Sequence, residues 1–335
     1  MNVNNRTKKP SVGGVGELMD AQRFGPVDAA ALVKRLQRPA HPVDVVLDTD
    51  AYNEIDDQYA IAYLLLHQEK LHTQALYAAP FSNARADSPA EGMQKSHEEI
   101  LHILALMHMP ALKNQVFQGA EAYLPDEFTP VHSPAAADLS VRAMRYSPEH
   151  PLYVVAIGAI TNIASALLLN PEIRDRIVII WLGGHAFHWH DNREFNMRQD
   201  IAAARVVLGC GAAVVLLPCR GVVSSFTTSE PELRKYLLGK NALCDYLYNV
   251  TCKTARDESK IACWTRPIWD VAAVAYLLDA RYMLERTVSA PIPEYDGYWA
   301  FDRSRHFIQY VYHYHINRDC LFEDLFERLG AFTMP

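Results

Sequence analysis

The absences in this sequence narrow it first. No apolar run is long enough to span a bilayer. The opening stretch, MNVNNRTKKPSVGG, is polar with no apolar core behind it, so it does not read as a secretory signal. Six cysteines (Cys210, Cys219, Cys244, Cys252, Cys263 and Cys320) contain no CxxC pair, which argues against a zinc or redox motif and for buried free thiols. There is no GxxxxGK[ST] phosphate loop and no EF-hand spacing. The formal net charge is −7 and no basic stripe occurs, so nucleic acid has no electrostatic footing as a partner. Internal repeats and low-complexity tracts are absent, as is any Pro/Gly-rich linker after residue 42. A cytoplasmic protein is expected, with a flexible arm and short helix over residues 1–40 and a single domain over 41–335.

One local absence points to function. Lys and Arg are missing from Pro39 to Glu69, while Asp48, Asp50, Glu54, Asp56 and Asp57 fall within that window. The segment opens with Val43, Val45, Val46 and Leu47, a buried-strand pattern, and closes with Ile55, Tyr59, Ala62, Tyr63 and Leu66 at helical spacing. Asp48 and Asp50 share one strand face by the period of two. Acids at a strand end repel: two charges about 4 Å apart cost roughly 4 kcal/mol at an effective dielectric near 20. A hard cation with oxygen ligands is the natural compensation, and strand ends are where open α/β sheets bind ligands. The blander alternative is that Asp56 and Asp57 only favour the dipole of the following helix.

Along the chain, strands are expected at Leu71–Ala79, Gln115–Gln118, Leu152–Ile157, Ile177–Leu182 and Ala213–Leu217, with a late one over 306–316. Ser88-Pro89 and Ser133-Pro134 are helix-start signals. Helices are expected over Val27–Gln37, from about Arg198 to Leu208, over much of 218–266, over Pro267–Leu278 and at the C-terminal end, with a polar loop over 185–197. The alternation predicts an α/β fold, a mainly parallel, doubly wound sheet flanked by helices.

Several motifs then align with a known family. DTDAYNEIDDQYAIA resembles the DxDPGxDDAxA signature of the inosine-uridine preferring nucleoside hydrolases. GAITNIASALLLNP resembles their GPLTNLA segment, and WLGG their strand ending in paired glycines. REFNMRQDIAAA resembles EFN-x-x-x-DPEAA, and PIWDVAAVAYLLD resembles PxHDPxAVAYxxD. The order is the same over residues 43–279.

The resemblance implies Ca²⁺-dependent hydrolysis of the N-glycosidic bond of ribonucleosides, in a protein that assembles as a homodimer or homotetramer. Residue by residue, it implies Asp50 as metal ligand and general base on a metal-bound water, with Asp57, Asp270 and the Thr161 carbonyl completing the ligands. It implies ribose contacts from Asp56, Asn83, Glu194 and Asn196, and support from Asp48. The residue types suit the chemistry: carboxylates stabilise an oxocarbenium-like transition state, and a metal acidifies and orients water.

Two departures stand out. Ala51-Tyr52-Asn53-Glu54 replaces the family's Pro-Gly and lengthens the loop by two residues, bringing Asn53 and Glu54 near the site. Trp269 stands where the family has a histidine associated with the leaving base, and an indole stacks but does not protonate. His185, His188 and His190 are candidate replacement acids or solvated loop residues. Tyr310, Tyr312 and Tyr314, opposite His313 and His315, form either a wall for a planar base or ordinary strand packing. Two other functions remain open: a non-catalytic nucleoside or ribose binder, motivated by Trp269, and a DxD phosphatase of the haloacid-dehalogenase type with Mg²⁺, Asp48 as nucleophile and Asp50 as acid/base. For the phosphatase no accompanying phosphate-binding Lys is evident.

Overall fold

The computed structural model describes residues 23–312 and 316–333; residues 1–22 of the expected N-terminal arm, His313, Tyr314, His315 and residues 334–335 lie outside the described residues. The main strands are β1 (Val43–Thr49), β2 (Leu71–Ala78), β3 (Val116–Gln118), β4 (Leu152–Ala156), β5 (Ile177–Leu182), β6 (Ala213–Leu217), β7 (Glu285–Ser289) and β8 (Phe307–Val311). They form one sheet in the order β3–β2–β1–β4–β5–β6–β8–β7. All neighbours pair parallel except β8 with β7.

The apolar runs explain why the sheet is covered on both sides. Along β1, Val45 and Leu47 enter one core and Val46 the other. The same alternation holds in β4, where Tyr153 and Val155 oppose Leu152, Val154 and Ala156, and in β5, where Val178 and Ile180 oppose Ile177, Ile179 and Trp181. A strand buried on both faces needs apolar side chains at every position; β4 and β5 have them throughout, whereas β1 breaks the run with Asp44 and Asp48. On the first face pack α1 (Ala29–Arg35), α2 (Asp57–Leu65), α3 (Pro89–Leu106), α9 (Ala242–Ser259), α10 (Val271–Ala275) and α11 (Arg318–Ala331). The other face carries α4 (Pro134–Arg142), α5 (Thr161–Leu169) and α7 (Ile201–Gly209), with α6 (Phe195–Gln199) leading into α7. α8 (Glu230–Tyr236) sits beside α9 and α11.

Both serine caps form: Ser88 Oγ accepts from the Glu91 amide and Ser133 Oγ from the Ala136 amide, each with proline at the helix start. Two helices differ from expectation. The segment expected as a helix over Pro267–Leu278 is helical only over Val271–Ala275. Arg266 and Pro267 pair instead with Thr228 and Thr227, and the Ile268 amide donates to the Phe226 carbonyl, so the chain stays extended until Asp270. The helix expected from about Arg198 begins earlier and breaks in the middle. Glu194 caps α6, and Asp200, at φ −141° and ψ 79°, ends it and caps α7 through the Ala203 amide.

The order of strands reverses between β1 and β4, since β2 and β3 lie on one side of that pair and β5 and β6 on the other. Such a switch point opens a crevice beyond the carboxyl ends of the strands. Asn162 holds it together. Its Nδ2 donates to Asp48 Oδ1 at 2.8 Å and to the Ala78 carbonyl at 3.2 Å, while its Oδ1 accepts from the Ala120 amide at 2.8 Å. One fully buried amide thus joins the ends of β1 and β2 and the segment after β3. Replacing it strands buried partners at about 1–3 kcal/mol each. Asn162→Ala is expected to lower unfolding free energy by about 3 kcal/mol in urea denaturation; a loss below about 1 kcal/mol would contradict this role.

Candidate active site

Beyond the ends of β1 and β4 lies a cavity of about 290 Å³, on the scale of small-ligand sites. Asp50, Asp56, Asp57 and Asp270 line its floor with Asn53 and Glu54, and Glu194, Asn196, His185 and Trp269 belong to its walls. The first core of the sheet lies beneath, so these acids are shielded: Asp50 is 1% exposed, Asp56 2%, Asp57 1% and Asp270 5%.

Local structure explains how each arrives. β1 delivers Asp48 and Asp50, and the Asn53 amide closes a turn onto the Asp50 carbonyl at 2.7 Å. Gly158, just past β4, lets Asp50 approach; a Cβ there would lie 3.2 Å from Asp50 Cγ and 3.0 Å from Ala79 Cβ. The long Ala51–Glu54 loop is pinned from outside. Arg266 pairs with Glu54 at 2.6 Å, Asn83 Nδ2 donates to Asn53 Oδ1 at 2.7 Å, and Arg85 donates to the Glu54 carbonyl at 3.0 Å. Asp57, at the start of α2, accepts from the Thr49 hydroxyl. Asp270 stands at the N-cap of α10, far along the sequence from β1, yet its carboxyl comes within 4.8 Å of those of Asp56 and Asp57.

Asp56, Asp57 and Asp270 each offer an oxygen, all within 4.8 Å of one another. Asp50 is not in that tightest group, but its charge is felt by Asp270, and those of Asp57 and Asp56 by it. Burial, and then Asp57, Asp56, Glu54 and Glu194, push the Asp50 carboxyl well above the ordinary range. Burial, and then Asp56, Asp57 and Asp50, raise Asp270. Asp56 and Asp57 are pushed up to about 6, burial leading in both. Asp48 is pushed up to about 7 by burial, against the pull of the Asn162 hydrogen bond. Asp48 Oδ2 and Asp50 Oδ2 are buried with no hydrogen-bond partner among the described residues. Orphaned carboxylate oxygens beside three converging acids fit a hard divalent cation, which relieves both the repulsion and the missing bonds.

The sequence-derived residues do not all face the cavity. Asp50, Asp56, Asp57, Asp270, Glu194, Asn196 and Trp269 do. Asp48 is sealed below it on Asn162, so it is not accessible as a nucleophile, which disfavours the phosphatase reading. Asn83 is one step behind the lining, with its amide on Asn53 and its Oδ1 accepting from the Arg85 amide. Thr161 is fully buried; its hydroxyl donates to Asp200 Oδ2 at 2.7 Å and not to a helix end. Glu194 accepts from the amides of Gly184, Asn196 and Met197, all at 2.9 Å, so its carboxylate is also a structural clasp. Asn196 spends its amide on the Ile157 and Leu182 carbonyls, leaving Oδ1 for another donor.

Among the candidate acids, His185 is in the wall, and burial, aided by Arg220, pushes its imidazole down to about 4, so it is neutral at neutral pH. His190 is exposed beside Asp191, and His188 does not line the cavity. Tyr310 stacks on Phe187 at 4.0 Å and its hydroxyl accepts from the Phe187 amide, so it packs β8 against the loop after β5 and does not line the cavity. Four lining residues had no sequence signal: Cys219, Arg193, Arg198 and Arg220. The thiol of Cys219 is held well above its ordinary range by burial and by Glu194, which favours the protonated thiol over the thiolate.

The sequence model of the inosine-uridine preferring nucleoside hydrolases matches residues 45–311. The chain is 37% identical to the pyrimidine-specific ribonucleoside hydrolase RihA of Citrobacter koseri over 84 residues, covering 24% of this chain and 27% of that protein. It is 28% identical to the non-specific ribonucleoside hydrolase RihC of Salmonella schwarzengrund over 207 residues, covering 58% and 65% respectively. The chain therefore spans about a quarter to two thirds of the length of these curated relatives. The solved purine-preferring ribonucleoside hydrolase from Gardnerella vaginalis superposes with a TM-score of 0.71 at 17% identity, over 86% of this chain and 98% of that one. At that identity the likeness bears on fold.

The raised carboxyls give a pH signature. With no cation bound, the folded chain holds protons on Asp48, Asp56 and Asp57 up to about pH 6–7, whereas their ordinary value is 3.8. Between those limits the folded state binds more protons than the unfolded, so stability falls as pH rises. The chelator-stripped protein is expected to melt at lower temperature at pH 7.5 than at pH 5, and Ca²⁺ to raise the melting temperature more at pH 7.5. A stripped protein that gains stability toward pH 7.5 and ignores Ca²⁺ would contradict the site.

Proposed function

The chain belongs to the inosine-uridine preferring nucleoside hydrolase family, and we propose that it hydrolyses the N-glycosidic bond of ribonucleosides or related N-ribosides with Ca²⁺ as cofactor. The observation that carries this reading is the convergence of Asp56, Asp57 and Asp270 beside the unpartnered Asp50 Oδ2 in one shielded cavity. Asp50, Asp57, Asp270 and the Thr161 carbonyl would hold the ion. Calcium takes six to eight oxygens, so positions would remain on it for water and for ribose hydroxyls. Bound there, the ion would acidify and orient an attacking water and draw in the ribose diol.

The side chains then divide the work. Asp50 takes the proton of the attacking water at Oδ2, the oxygen with no competing donor. Asp56, at the edge of the metal group, accepts from the ribose hydroxyls, as do Glu194 and the Asn196 Oδ1. Asn83 acts through Asn53, holding the long loop against the sugar. The carboxylate floor stabilises positive charge that develops on the ribosyl ring as the base departs. Trp269 stacks on the leaving base. A neutral His185 offers a hydrogen bond and no ready proton, so ribosides with good leaving groups are the best substrates. Assembly as a homodimer or homotetramer and a cytoplasmic location belong to the same reading.

Asp50→Asn is expected to lower kcat for ribose release by about 10³-fold, within the range for loss of a general base, while the protein stays folded; unchanged release would sink the reading. Trp269→His is expected to raise kcat on inosine relative to p-nitrophenyl riboside, because only the first needs its leaving group protonated. An equal effect on both substrates would remove Trp269 from the leaving-group side.

A further inference from the structure

Three arginines line the cavity whose floor is acidic. Arg193 and Arg198 bracket Glu194 and Asn196 on the turn that enters α6, and Arg220 follows Cys219 on the segment after β6. They do not collapse onto the acids below. Arg193 donates to the Asp296 carbonyl at 3.1 Å and lies across Gly297. The Arg198 guanidinium sits 5.3 Å from the centre of the Phe195 ring. Neither Arg198 nor Arg220 has a side-chain hydrogen bond or ion pair among the described residues, and both are exposed. The Arg220 backbone carbonyl, by contrast, is fixed by the Ala186 amide at 3.0 Å, and its charge is felt at His185 in the wall. Other arginines near the site are committed: Arg266 bridges Glu54 and Glu258, and Arg85 serves the loop carbonyls and Thr254.

Cations with free donor faces at the mouth of an anionic cavity call for an anion on the ligand. We propose that the preferred substrate is an N-riboside carrying a phosphoryl group on its 5′-hydroxyl, bound by Arg198 and Arg220 with Arg193 beside them. The inference rests on the N-riboside reading of the site. Guanidinium groups match phosphate oxygens in bidentate geometry. The position follows from what is left: the carboxylates and the ion take the 2′,3′-diol, the base leaves from the anomeric carbon, and the 5′-hydroxyl is the remaining point of attachment. Arg193 and Arg198 flank Glu194 and Asn196, the residues assigned to the sugar, which puts the charge on the sugar side and not on the base.

The test is calorimetric binding to the Ca²⁺-loaded protein of inosine against inosine 5′-phosphate, and uridine against uridine 5′-phosphate, with ribose or ribose 5-phosphate release followed in parallel. The expected result is at least tenfold tighter binding of each phosphorylated form. In Arg198→Gln/Arg220→Gln the ratio of the two dissociation constants falls toward one, and circular dichroism reports whether the double variant is folded; Arg198→Lys is expected to retain part of the preference. Equal affinity for both forms in the wild type overturns the phosphate inference and leaves the N-riboside reading standing. A preference for the phosphorylated form that survives the double variant overturns the assignment to these arginines. A preference that disappears in the variant with no glycosidic cleavage of any compound supports the phosphate subsite and removes the hydrolase reading. Failure of all four compounds to bind overturns both.

Discussion

Mutual repulsion among buried carboxylates is the constraint that organises this structure. Asp50, Asp56, Asp57 and Asp270 are nearly sealed from solvent, and oxygens of Asp56, Asp57 and Asp270 lie within 4.8 Å of one another. They cannot all be ionised at that separation without help. Either protons or a cation must settle the account, and the donors present, all oxygen, select a hard cation. Much of the surrounding architecture holds the acids in place despite their charge. Arg266 and Arg85 lock the lengthened loop, Thr49 ties Asp57, and Asn162 fastens Asp48 beneath the floor.

The sheet makes such a concentration possible. Reversal of strand order between β1 and β4 leaves a crevice that no crossover covers. β1 leads its acids to that crevice directly, and Asp270 comes from far along the chain because α10 packs against α2. The walls come from the segments after β5 and β6, where Glu194 clasps three amides and so fixes the turn that also carries Asn196, Arg193 and Arg198. Charge is thereby sorted within one cavity, carboxylates deep and guanidinium groups at the mouth. That sorting matches a ligand with a diol at one end and an anion at the other.

How much of this was legible before the structure depended on the range of each signal. β5 and β6 were readable because strands buried on both faces are continuously apolar, β1 from its apolar Val45, Val46 and Leu47, and the serine-proline caps because a cap is local. The acidic floor was visible as a charge concentration without a compensating base. Asp270 was reachable only through family resemblance, since nothing in the intervening sequence encodes its approach to Asp56 and Asp57. The helix over Pro267–Leu278 was overestimated because its apolar spacing hid the short pairing of Arg266 and Pro267 with Thr227 and Thr228. The role of Asn162 as a clasp between strands was not readable, because its partners lie far from it in the chain. Arg198 and Arg220 carried no sequence signal, because an exposed arginine acquires meaning only when its neighbours in space are known.

The central claim is that this carboxylate set is a metal centre that works on a riboside, and it is tested most directly by counting the ion. Equilibrium dialysis of the chelator-stripped protein against Ca²⁺ is predicted to give one ion per chain, with uptake lost in Asp57→Asn and Asp270→Asn and ribose release returning in step with occupancy. Absence of uptake by the folded, stripped protein, or ribose release that proceeds undiminished without the ion, would contradict the account.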